Sequence, residues 1–336
     1  MALMKAVQIN EPGTDFVMVQ KEVPEPGDGE VLIKVETCGI CHGDAIAKHG
    51  QFPGIKYPLV PGHEVIGVID KCGPGVADWK NGTRVGVGWS GGHCMKCSAC
   101  RKGDYYNCEN SLITGLSVDG GYAEYMVART SALVSIPREL SSADAAPLLC
   151  AGATTFSALQ KSGATGGEIV AIHGIGGLGH LAIQYCNRLG FKTIALSRGR
   201  EKEALAYKLG AHVFIDTESS DASKELQKLG GARVILCTAP NTKAIAGFVN
   251  GLGIGGQIII VAGVSEPLQV FPGQLFRGDL SIRGWHGERP GDAVKFSLLF
   301  NILPMIETFP LEKAAEAFDK MMSAKVHFRS VLKIGS

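Results

Sequence analysis

The chain has 336 residues, of which 45% are hydrophobic, and its formal net charge is +1. This length is enough for two domains, and the near-neutral charge with scattered basic residues excludes a protein that depends on nucleic acid as its partner. No apolar stretch is long enough to span a bilayer, so we expect no membrane association. We expect a cytoplasmic protein, because the N-terminal residues have the alternating pattern of a strand, unlike a signal peptide.

The first part of the chain, residues 1–150, carries short β-strand patterns interrupted by proline and glycine. Apolar β-forming residues cluster at 31–35, 65–69, 85–87 and 122–127. Frequent short strands bounded by turn residues are typical of a compact β-rich domain.

Within this part, a cysteine-rich loop has the spacing C-x2-C-x2-C-x7-C, formed by Cys94, Cys97, Cys100 and Cys108. Four thiolates at such spacing can surround one Zn²⁺ tetrahedrally and leave no open position, which predicts a structural zinc site. The alternative to a metal site is four free cysteines or a disulfide pair. It is disfavoured because nothing indicates an oxidising compartment. An iron–sulfur cluster is the chemical competitor.

From about residue 151 onward, strand patterns alternate with helical ones. We predict strands near 168–173, 193–196, 213–215, 234–237 and 258–261, with helices at 177–189 and 201–209. This alternation is the signature of βαβ units, and it predicts an α/β fold with a parallel sheet.

A glycine-rich turn follows the strand predicted at 168–173 and opens a helix. Its residues are Gly174, Ile175, Gly176, Gly177, Leu178 and Gly179. In this context the pattern G-x-G-x-x-G predicts a dinucleotide site, with Gly174 for the tight turn, Gly176 for close approach of the pyrophosphate and Gly179 for helix packing. The pyrophosphate would lie at the helix N-terminus.

A second metal site is a weaker prediction from spacing alone. Cys41, His63 and Cys150 are far apart in sequence, and two cysteines with one histidine can hold a Zn²⁺ that keeps an open position. Four further cysteines are equally available in principle, namely Cys38, Cys72, Cys186 and Cys237. Most lone cysteines are small buried apolar groups.

Several motifs together give the chain a specific resemblance. They are Cys38-Gly39-Ile40-Cys41-His42, Pro61-Gly62-His63-Glu64, the four-cysteine loop, Asp119-Gly120-Gly121-Tyr122-Ala123-Glu124-Tyr125, Cys150-Ala151-Gly152 and the glycine-rich turn. Over essentially its whole length the chain resembles the zinc-dependent medium-chain alcohol dehydrogenases, with the cinnamyl-type NADP(H) branch as the closest-looking relative. The resemblance implies a GroES-like catalytic domain (1–150), a Rossmann domain with a doubly wound parallel sheet (151–287) and a C-terminal segment (288–336) that returns to the first domain.

The resemblance also implies residue roles. It assigns Cys41, His63 and Cys150 to a catalytic zinc, with Glu64 as an occasional ligand and Asp44 as the carboxylate that orients His63. With the four-cysteine site this implies two zinc ions per chain. It further implies a homodimer or homotetramer. The cofactor contacts that it adds are His42, Arg329, Thr154, Thr238 and residues 261–264, including Val261 and Gly263.

Cofactor preference is predicted from the end of the second Rossmann strand. An NAD enzyme usually has Asp or Glu there, but this chain has Ser197-Arg198-Gly199-Arg200. A hydroxyl and two guanidinium groups suit the 2′-phosphate of NADP(H). The alternative is that both arginines are solvated surface charges.

The implied reaction is hydride transfer between NADP(H) and an aldehyde, ketone or alcohol, with zinc as Lewis acid. The family passes a proton through a Ser or Thr two residues after the first zinc cysteine, often on to a His five residues after it. Those positions are Gly43 and Ile46 in this chain, and neither can carry a proton. For carbonyl reduction, either water or His49 supplies the proton, or turnover is slow because the relay is lost. Because these relay residues are missing, a second function remains an alternative, namely reduction of activated C=C or iminium C=N bonds on the same scaffold.

A non-enzymatic alternative is a protein that only binds a dinucleotide, such as a sensor. The complete set of zinc ligands argues against it, and also against a zinc-free relative. For a small-molecule substrate, the candidate pocket residues chosen by position are Trp89, Leu112, Trp285 and His286.

Overall fold

The computed structural model describes residues 2–287 and 289–335, which form two compact units. The first unit combines the chain up to Cys150 with Pro290–Leu298 and the residues from Leu303 onward. The second unit combines Ala151–Arg289 with Leu299–Ile302. Within the described ranges, no helix has the length and apolar character needed to cross a membrane.

The strands, in chain order, are β1 (Leu3–Ile9), β2 (Phe16–Glu22), β3 (Glu30–Ile40), β4 (Val65–Cys72), β5 (Arg84–Val87), β6 (Ser90–Gly92), β7 (Leu112–Ile113), β8 (Tyr125–Arg129), β9 (Leu133–Ser135), β10 (Ile169–His173), β11 (Lys192–Ser197), β12 (Val213–Asp216), β13 (Ala232–Cys237), β14 (Leu252–Ile260), β15 (Ser281–Gly284), β16 (Ile306–Pro310) and β17 (Arg329–Lys333).

The α-helices are α1 (His42–His49), α2 (Ser98–Arg101), α3 (Ser142–Ala145), α4 (Ala151–Gln160), α5 (Gly179–Arg188), α6 (Glu203–Leu209), α7 (Ala222–Lys228), α8 (Thr242–Phe248), α9 (Pro272–Phe276), α10 (Pro290–Phe300) and α11 (Ala314–Met322). Short 3₁₀ turns lie at Thr130–Ala132, Ala146–Leu149, Val249–Gly251 and Leu311–Lys313.

The first unit is built on a sheet with the order β16-β17-β3-β4-β5-β9, in which β8 also pairs with β3. The long strand β3 therefore has two partners along one edge. β8 pairs antiparallel with its first half, from Glu30 to Lys34, and β17 pairs antiparallel with its end, from Thr37 to Ile40. Along β3 the side chains of Val31, Ile33 and Val35 are buried in a core that also contains residues of β4 and β8.

The second unit contains a six-stranded sheet with the order β12-β11-β10-β13-β14-β15, and every neighbouring pair is parallel. This is the doubly wound order, and its direction reverses between β10 and β13. The two strands end in register, with His173 beside Cys237. The residues that follow, Gly174 and Thr238, therefore lie at the edge where such folds bind ligands.

The predicted α/β class, with a β-rich part and a doubly wound parallel sheet, is confirmed. Several element boundaries differ from the sequence patterns, most of all that of β14, which begins at Leu252 where a strand was predicted near 258–261. β3 extends to Ile40, because its end is completed by β17, which comes from the far end of the chain. α5 begins at Gly179, two residues later than predicted. β8 begins at Tyr125, because Ala123 bridges to Ala6 of β1 instead.

Candidate metal centre and dinucleotide site

One group of metal-donor side chains lies in the first unit. The donor atoms of Cys41, His63, Glu64 and Cys150 are all within 4.8 Å of one another. The Cys41 and Cys150 sulfurs are 3.9 Å apart, and the Cys41 sulfur is 2.9 Å from His63 Nε2. Tetrahedral zinc with Zn–S bonds of about 2.3 Å needs an Sγ–Sγ separation of about 3.8 Å, so the two thiols match that geometry.

Local structure places these donors. Cys41 is the N-cap of α1, directly after β3, and its sulfur accepts the N–H of Gly43 at 3.2 Å. Glu64 directly precedes β4, which pairs with β3, so His63 and Glu64 arrive beside the end of β3. Cys150 follows the 3₁₀ turn at Ala146–Leu149. The remaining cysteines, Cys38, Cys72, Cys186 and Cys237, belong to neither donor group.

Asp44 holds His63 in place. Asp44 Oδ1 is 3.2 Å from His63 Nδ1, and Oδ2 accepts the N–H of Cys41 at 2.9 Å and the hydroxyl of Tyr122 at 3.1 Å. Both carboxylate oxygens are therefore used inside the protein, which leaves His63 Nε2 facing the thiols. The role of Tyr122 could not be predicted from the sequence, where this residue stands only as part of the motif Asp119-Gly120-Gly121-Tyr122.

The buried donors have shifted pKa values. The hydrogen bond with Cys150 lowers the pKa of Cys41 well below its usual value, against the opposing effect of burial. The same hydrogen bond and burial raise the pKa of Cys150 well above its usual value. Burial opposes charge on His63, but the charges of Cys41 and Asp44 outweigh it and raise the pKa. A metal binds these cysteines as thiolates, so its binding would displace the proton that burial and Cys41 favour on Cys150.

Glu64 is the fourth donor, and Arg329 restrains it. The Arg329 guanidinium forms an ion pair with Glu64 Oε1, and both side chains are buried. Glu64 Oε2 has no hydrogen-bond partner among the described residues. Burial raises the pKa of Glu64 to about 7, although the charge of Arg329 opposes this. An orphaned carboxylate oxygen beside two thiols and an imidazole fits a metal ion.

Gly43 and Trp89 lie beside His63. A Cβ atom at Gly43 would stand 2.7 Å from His63 Cε1 and 2.8 Å from Trp89 Cζ3, so this position has no room for a side chain as the rings lie. The Trp89 ring meets His63 edge-on, with centroids 4.9 Å apart. Ile46 packs with Trp89 against a small apolar cluster, and His49 is exposed at the end of α1.

The four-cysteine loop forms a second donor group, also in the first unit. The sulfurs of Cys94, Cys97, Cys100 and Cys108 all lie within 4.8 Å of one another. All ten cysteines of the chain are among the described residues, and all are free thiols, which excludes the disulfide alternative for this loop. Backbone N–H groups, first that of Lys96, lower the pKa of Cys94 to about 6, which favours the thiolate that a metal needs.

The glycine-rich turn of the second unit has the geometry of a pyrophosphate cradle. Gly174 has a φ of +93°, and a Cβ at Gly179 would stand 1.8 Å from the carbonyl oxygen of Gly174. A Cβ at Gly176 would meet nothing within 4 Å, so the space above this backbone is open. Gly177 and Leu178 lead directly into α5, a ten-residue helix whose free N–H groups favour an anion.

Three cations follow β11. Arg198 and Arg200 are exposed, and Arg200 lies 3.5 Å from Glu203. Lys202, which the sequence patterns did not single out, donates to the carbonyl oxygen of Ile175 in the glycine-rich turn at 2.8 Å. Arg198, Arg200 and Lys202 are basic residues at every second position, and this spacing could have indicated Lys202 from the sequence.

The nearest acid at the end of the neighbouring strand is Asp216, the Cα partner of Ser197. Its Oδ1 accepts the N–H groups of Gly199 and Glu218, and Oδ2 accepts the Ser219 hydroxyl. The hydrogen bond from Glu218 is the largest of those that lower the pKa of Asp216. This carboxylate is therefore occupied by its own loop.

The other predicted cofactor contacts are distributed over both units. In the second unit, the Thr238 hydroxyl donates to the carbonyl oxygens of His173 and Gly174 and so closes the glycine-rich turn. Val261 and Gly263 follow β14, and Thr154 lies in α4. In the first unit, His42 is the exposed first residue of α1, and Arg329 is the buried partner of Glu64. The proposed role of each in cofactor binding stays a prediction.

The predicted pocket residues belong to both units, with Trp89 and Leu112 in the first and Trp285 and His286 in the second. Trp285 Nε1 donates to Ser157 Oγ at 2.9 Å, and the Trp285 ring stacks parallel to His286 in the second unit. The Arg283 guanidinium covers the Trp285 ring at 4.5 Å from its centroid. Leu112 lies in β7 of the first unit.

Known proteins match the chain along nearly its whole length. Residues 27–138 match the family model described as alcohol dehydrogenase GroES-like domain, and residues 177–298 match zinc-binding dehydrogenase. An alcohol dehydrogenase of Penicillium expansum is 44% identical, with 98% of this chain and 97% of that protein covered.

Two solved structures are similar in fold as well. A cinnamyl alcohol dehydrogenase of Sorghum bicolor has a TM-score of 0.89 at 26% identity, with 99% of this chain and 98% of that chain covered. A CAD from Helicobacter pylori, solved in complex with NADP(H), has a TM-score of 0.87 at 26% identity and the same coverage.

Proposed function

The chain belongs to the zinc-dependent medium-chain alcohol dehydrogenases and is an oxidoreductase, and we propose that it transfers a hydride reversibly between NADP(H) and an aldehyde, ketone or alcohol. The observation that carries this proposal is the donor group of Cys41, His63 and Cys150, with Glu64 tied to Arg329. Cys41, His63 and Cys150 supply three donors, so a tetrahedral zinc keeps one position, which a substrate oxygen would take in place of Glu64 Oε2.

The residues of the first unit have defined tasks in this proposal. Cys41, His63 and Cys150 would hold a zinc ion, which when bound supplies Lewis-acid stabilisation of the substrate oxygen. Asp44 orients His63 and increases the basicity of its ring, and Tyr122 fixes Asp44 from the other side.

Proton transfer needs a different route from the family's hydroxyl relay. Gly43 has no hydroxyl and no room for one, and Ile46 packs in an apolar cluster with Trp89. We therefore assign proton exchange to water that reaches the metal centre, since His49 is an exposed residue at the far end of α1. Reduction of C=C or C=N bonds is not favoured, because the full-length relatives are alcohol dehydrogenases.

We assign the dinucleotide to the glycine-rich turn, with the 2′-phosphate of NADP(H) near Ser197, Arg198 and Arg200. Arg198 has no ion-pair partner among the described residues, and a guanidinium matches phosphate with two parallel hydrogen bonds. The carboxylate of Asp216 is already satisfied, so it does not provide the usual acceptor for ribose hydroxyls. Glu218 is the nearby acid that remains exposed.

Two further assignments complete the proposal. The four-cysteine loop would hold a second, structural zinc, because four thiols fill its coordination sphere.

Two copies of the chain would associate through the β15 edge of the six-stranded sheet, since the exposed side chains of Ile254, Phe271 and Phe276 also belong to this part of the second unit. Ten free thiols suit the reducing conditions of the cytoplasm.

The experiment is oxidation of NADPH and of NADH by zinc-loaded protein with a panel of aromatic and aliphatic aldehydes, enals and a cyclic iminium. We expect alcohols as products, and loss of turnover in Cys41→Ala. Saturated aldehyde or amine without alcohol would contradict the assigned reaction.

Cofactor preference is tested with the double variant Arg198→Ala, Arg200→Ala. Loss of charged hydrogen bonds to phosphate should lower kcat/KM for NADPH about 10- to 100-fold and leave that for NADH nearly unchanged. Arg277→Ala, which removes an exposed cation elsewhere in the second unit, is the matched control. Equal losses with both cofactors would contradict the assignment of the 2′-phosphate.

A further inference from the structure

A cavity of about 170 Å³ lies in the first unit, along β8. Apolar side chains form much of its wall, including those of Val87, Leu112, Met126 and Ala128. None of the four donor residues of the candidate catalytic metal centre lines it. A cavity of about 150 Å³ with apolar walls is large enough for a benzene ring, so this one accommodates a single ring or a short aliphatic chain.

A buried hydroxyl on the cavity wall lacks a hydrogen-bond partner. Thr114 lines the cavity, its side chain is fully buried, and its Oγ1 has no partner among the described residues. Buried polar groups are nearly always paired, because an unpaired one loses its interaction with water and gains nothing in return. The hydroxyl of Thr114 therefore indicates a ligand group or a water molecule at this wall.

The charged side chains on the cavity wall differ in whether they have hydrogen-bond or ion-pair partners. Asp119 forms an ion pair with Lys21 at 2.7 Å and accepts the N–H of Val60 at 2.9 Å. Glu30 accepts the N–H of Gly27 at 3.0 Å. Arg129, opposite Glu30 in the β3–β8 pair, has no ion-pair partner within the described part of the chain. The cation left unmatched on this wall is therefore Arg129.

The backbone of β8 adds donors on the same side. The bonds Val35 N–H to Glu124 O and Thr130 N–H to Gly29 O fix which residues of this antiparallel pair exchange hydrogen bonds. Because the pattern alternates, the N–H groups of Tyr125, Val127 and Arg129 turn away from β3. All three residues line the cavity. An anion held by Arg129 would thus also lie next to outward-facing N–H groups.

We propose that this cavity is a second small-molecule site, which binds a carboxylate with a single ring or a short apolar chain. The apolar body lies against Met126 and Leu112, the carboxylate meets the Arg129 guanidinium, and the Thr114 hydroxyl donates to a ligand oxygen. Glu30 opposes the negative charge and limits the affinity. The cavity shares no donor residue with the metal centre, although Leu112 is also one of the candidate substrate-pocket residues chosen by position.

The probe for this site is benzoate, titrated calorimetrically into the zinc-loaded full chain. Arg129→Gln should weaken binding about tenfold or more, and Glu30→Gln, which keeps an acceptor for Gly27, should strengthen it. Ala128→Leu should abolish binding by filling the cavity. A crystal grown with benzoate should contain the ring beside Met126. Benzoate found only at the metal centre, or an affinity unchanged by Arg129→Gln, would overturn the proposal.

Thr114→Val gives a readout that does not depend on the probe. If the hydroxyl awaits a ligand, the isosteric valine should raise Tm of the ligand-free protein and weaken benzoate binding. A lower Tm would mean that water already satisfies the hydroxyl, and it would overturn the assignment of Thr114 to the ligand.

Discussion

The Arg329 guanidinium forms a buried ion pair with the carboxylate of Glu64, a residue that is 265 positions earlier in the chain. Arg329 is the first residue of β17, and Glu64 directly precedes β4. The pair occupies Glu64 Oε1, so the oxygen of this carboxylate that is free for a metal is Oε2, which has no hydrogen-bond partner among the described residues.

Arg329→Met should be strongly destabilising. At alkaline pH, where Glu64 is ionised, removal of one member of a buried ion pair leaves the other charge uncompensated, which costs about 3–5 kcal/mol. The free energy of unfolding, measured by urea titration of the zinc-loaded protein, should fall by that amount. Adding Glu64→Gln should recover most of the loss, because the remaining carboxylate charge is gone. Simple additivity of the two single changes would show that the pair is not coupled.

Gly43→Ser should lower both zinc retention and kcat/KM, because the added Cβ would stand within 2.8 Å of His63 and Trp89 atoms. Gly43→Ala is the matched control, since it introduces the same crowding without a hydroxyl. The second change Trp89→Ala should make room and restore zinc binding to the serine variant. Metal analysis and steady-state kinetics measure these effects. Full activity of Gly43→Ser alone would mean that the Trp89 ring moves aside.

The stability of the second unit should fall at acidic pH because of His173. Burial, together with the positive charge of Arg198, lowers the pKa of His173 to about 4. The unfolded chain takes up a proton near pH 6.5, whereas the folded chain does not until about pH 4. This stabilisation is therefore complete above pH 6.5 and is lost as the pH falls towards 4, by about 3 kcal/mol.

His173→Phe removes this titration. The phenyl ring keeps the edge contact that His173 makes with Phe248, and no hydrogen bond to Nδ1 is lost among the described residues. The difference in unfolding free energy between the two proteins, measured from pH 7.5 to 4.5, isolates the histidine from acid-induced loss of zinc, which both proteins share. A constant difference across this range would contradict the pKa assigned to His173.

Cys97→Ser should remove the structural zinc that we assign to the four-cysteine loop and release the loop around it. Metal binding of this kind contributes directly to folding, and a loop of exposed residues has little other support. Metal analysis should give one zinc ion instead of two, and limited proteolysis should cut near the exposed Tyr105 and Tyr106. Cys72→Ser, at a cysteine outside both donor groups, is the control. An unchanged zinc content would contradict the structural zinc.

Features that depend on nearby residues were readable from the sequence. The four cysteines lie within fifteen positions, and their spacing alone brings their sulfurs together. Alternation of strands and helices after residue 151 likewise predicted the parallel sheet, because each βαβ unit is local.

Features that depend on distant residues were not readable from spacing. Spacing could not select Cys41 and Cys150 over the remaining cysteines, and the family resemblance made that choice. The ion pair of Arg329 with Glu64 and the fit of Trp89 against Gly43 depend on strand pairing and ring orientation, for which the sequence has no periodic signal. Tyr122 was visible only as part of a motif.

The position of β17 has a consequence for how the protein is made. This strand occupies the end of the β3 edge, yet it is synthesised after every strand of the second unit's sheet. The sheet of the second unit uses residues no later than Gly284, so it can form while the chain is still being synthesised. The first unit has to wait with an open strand edge and with Glu64 lacking its cation. During translation this unit is therefore the natural target for chaperones, and shortened products should be degraded.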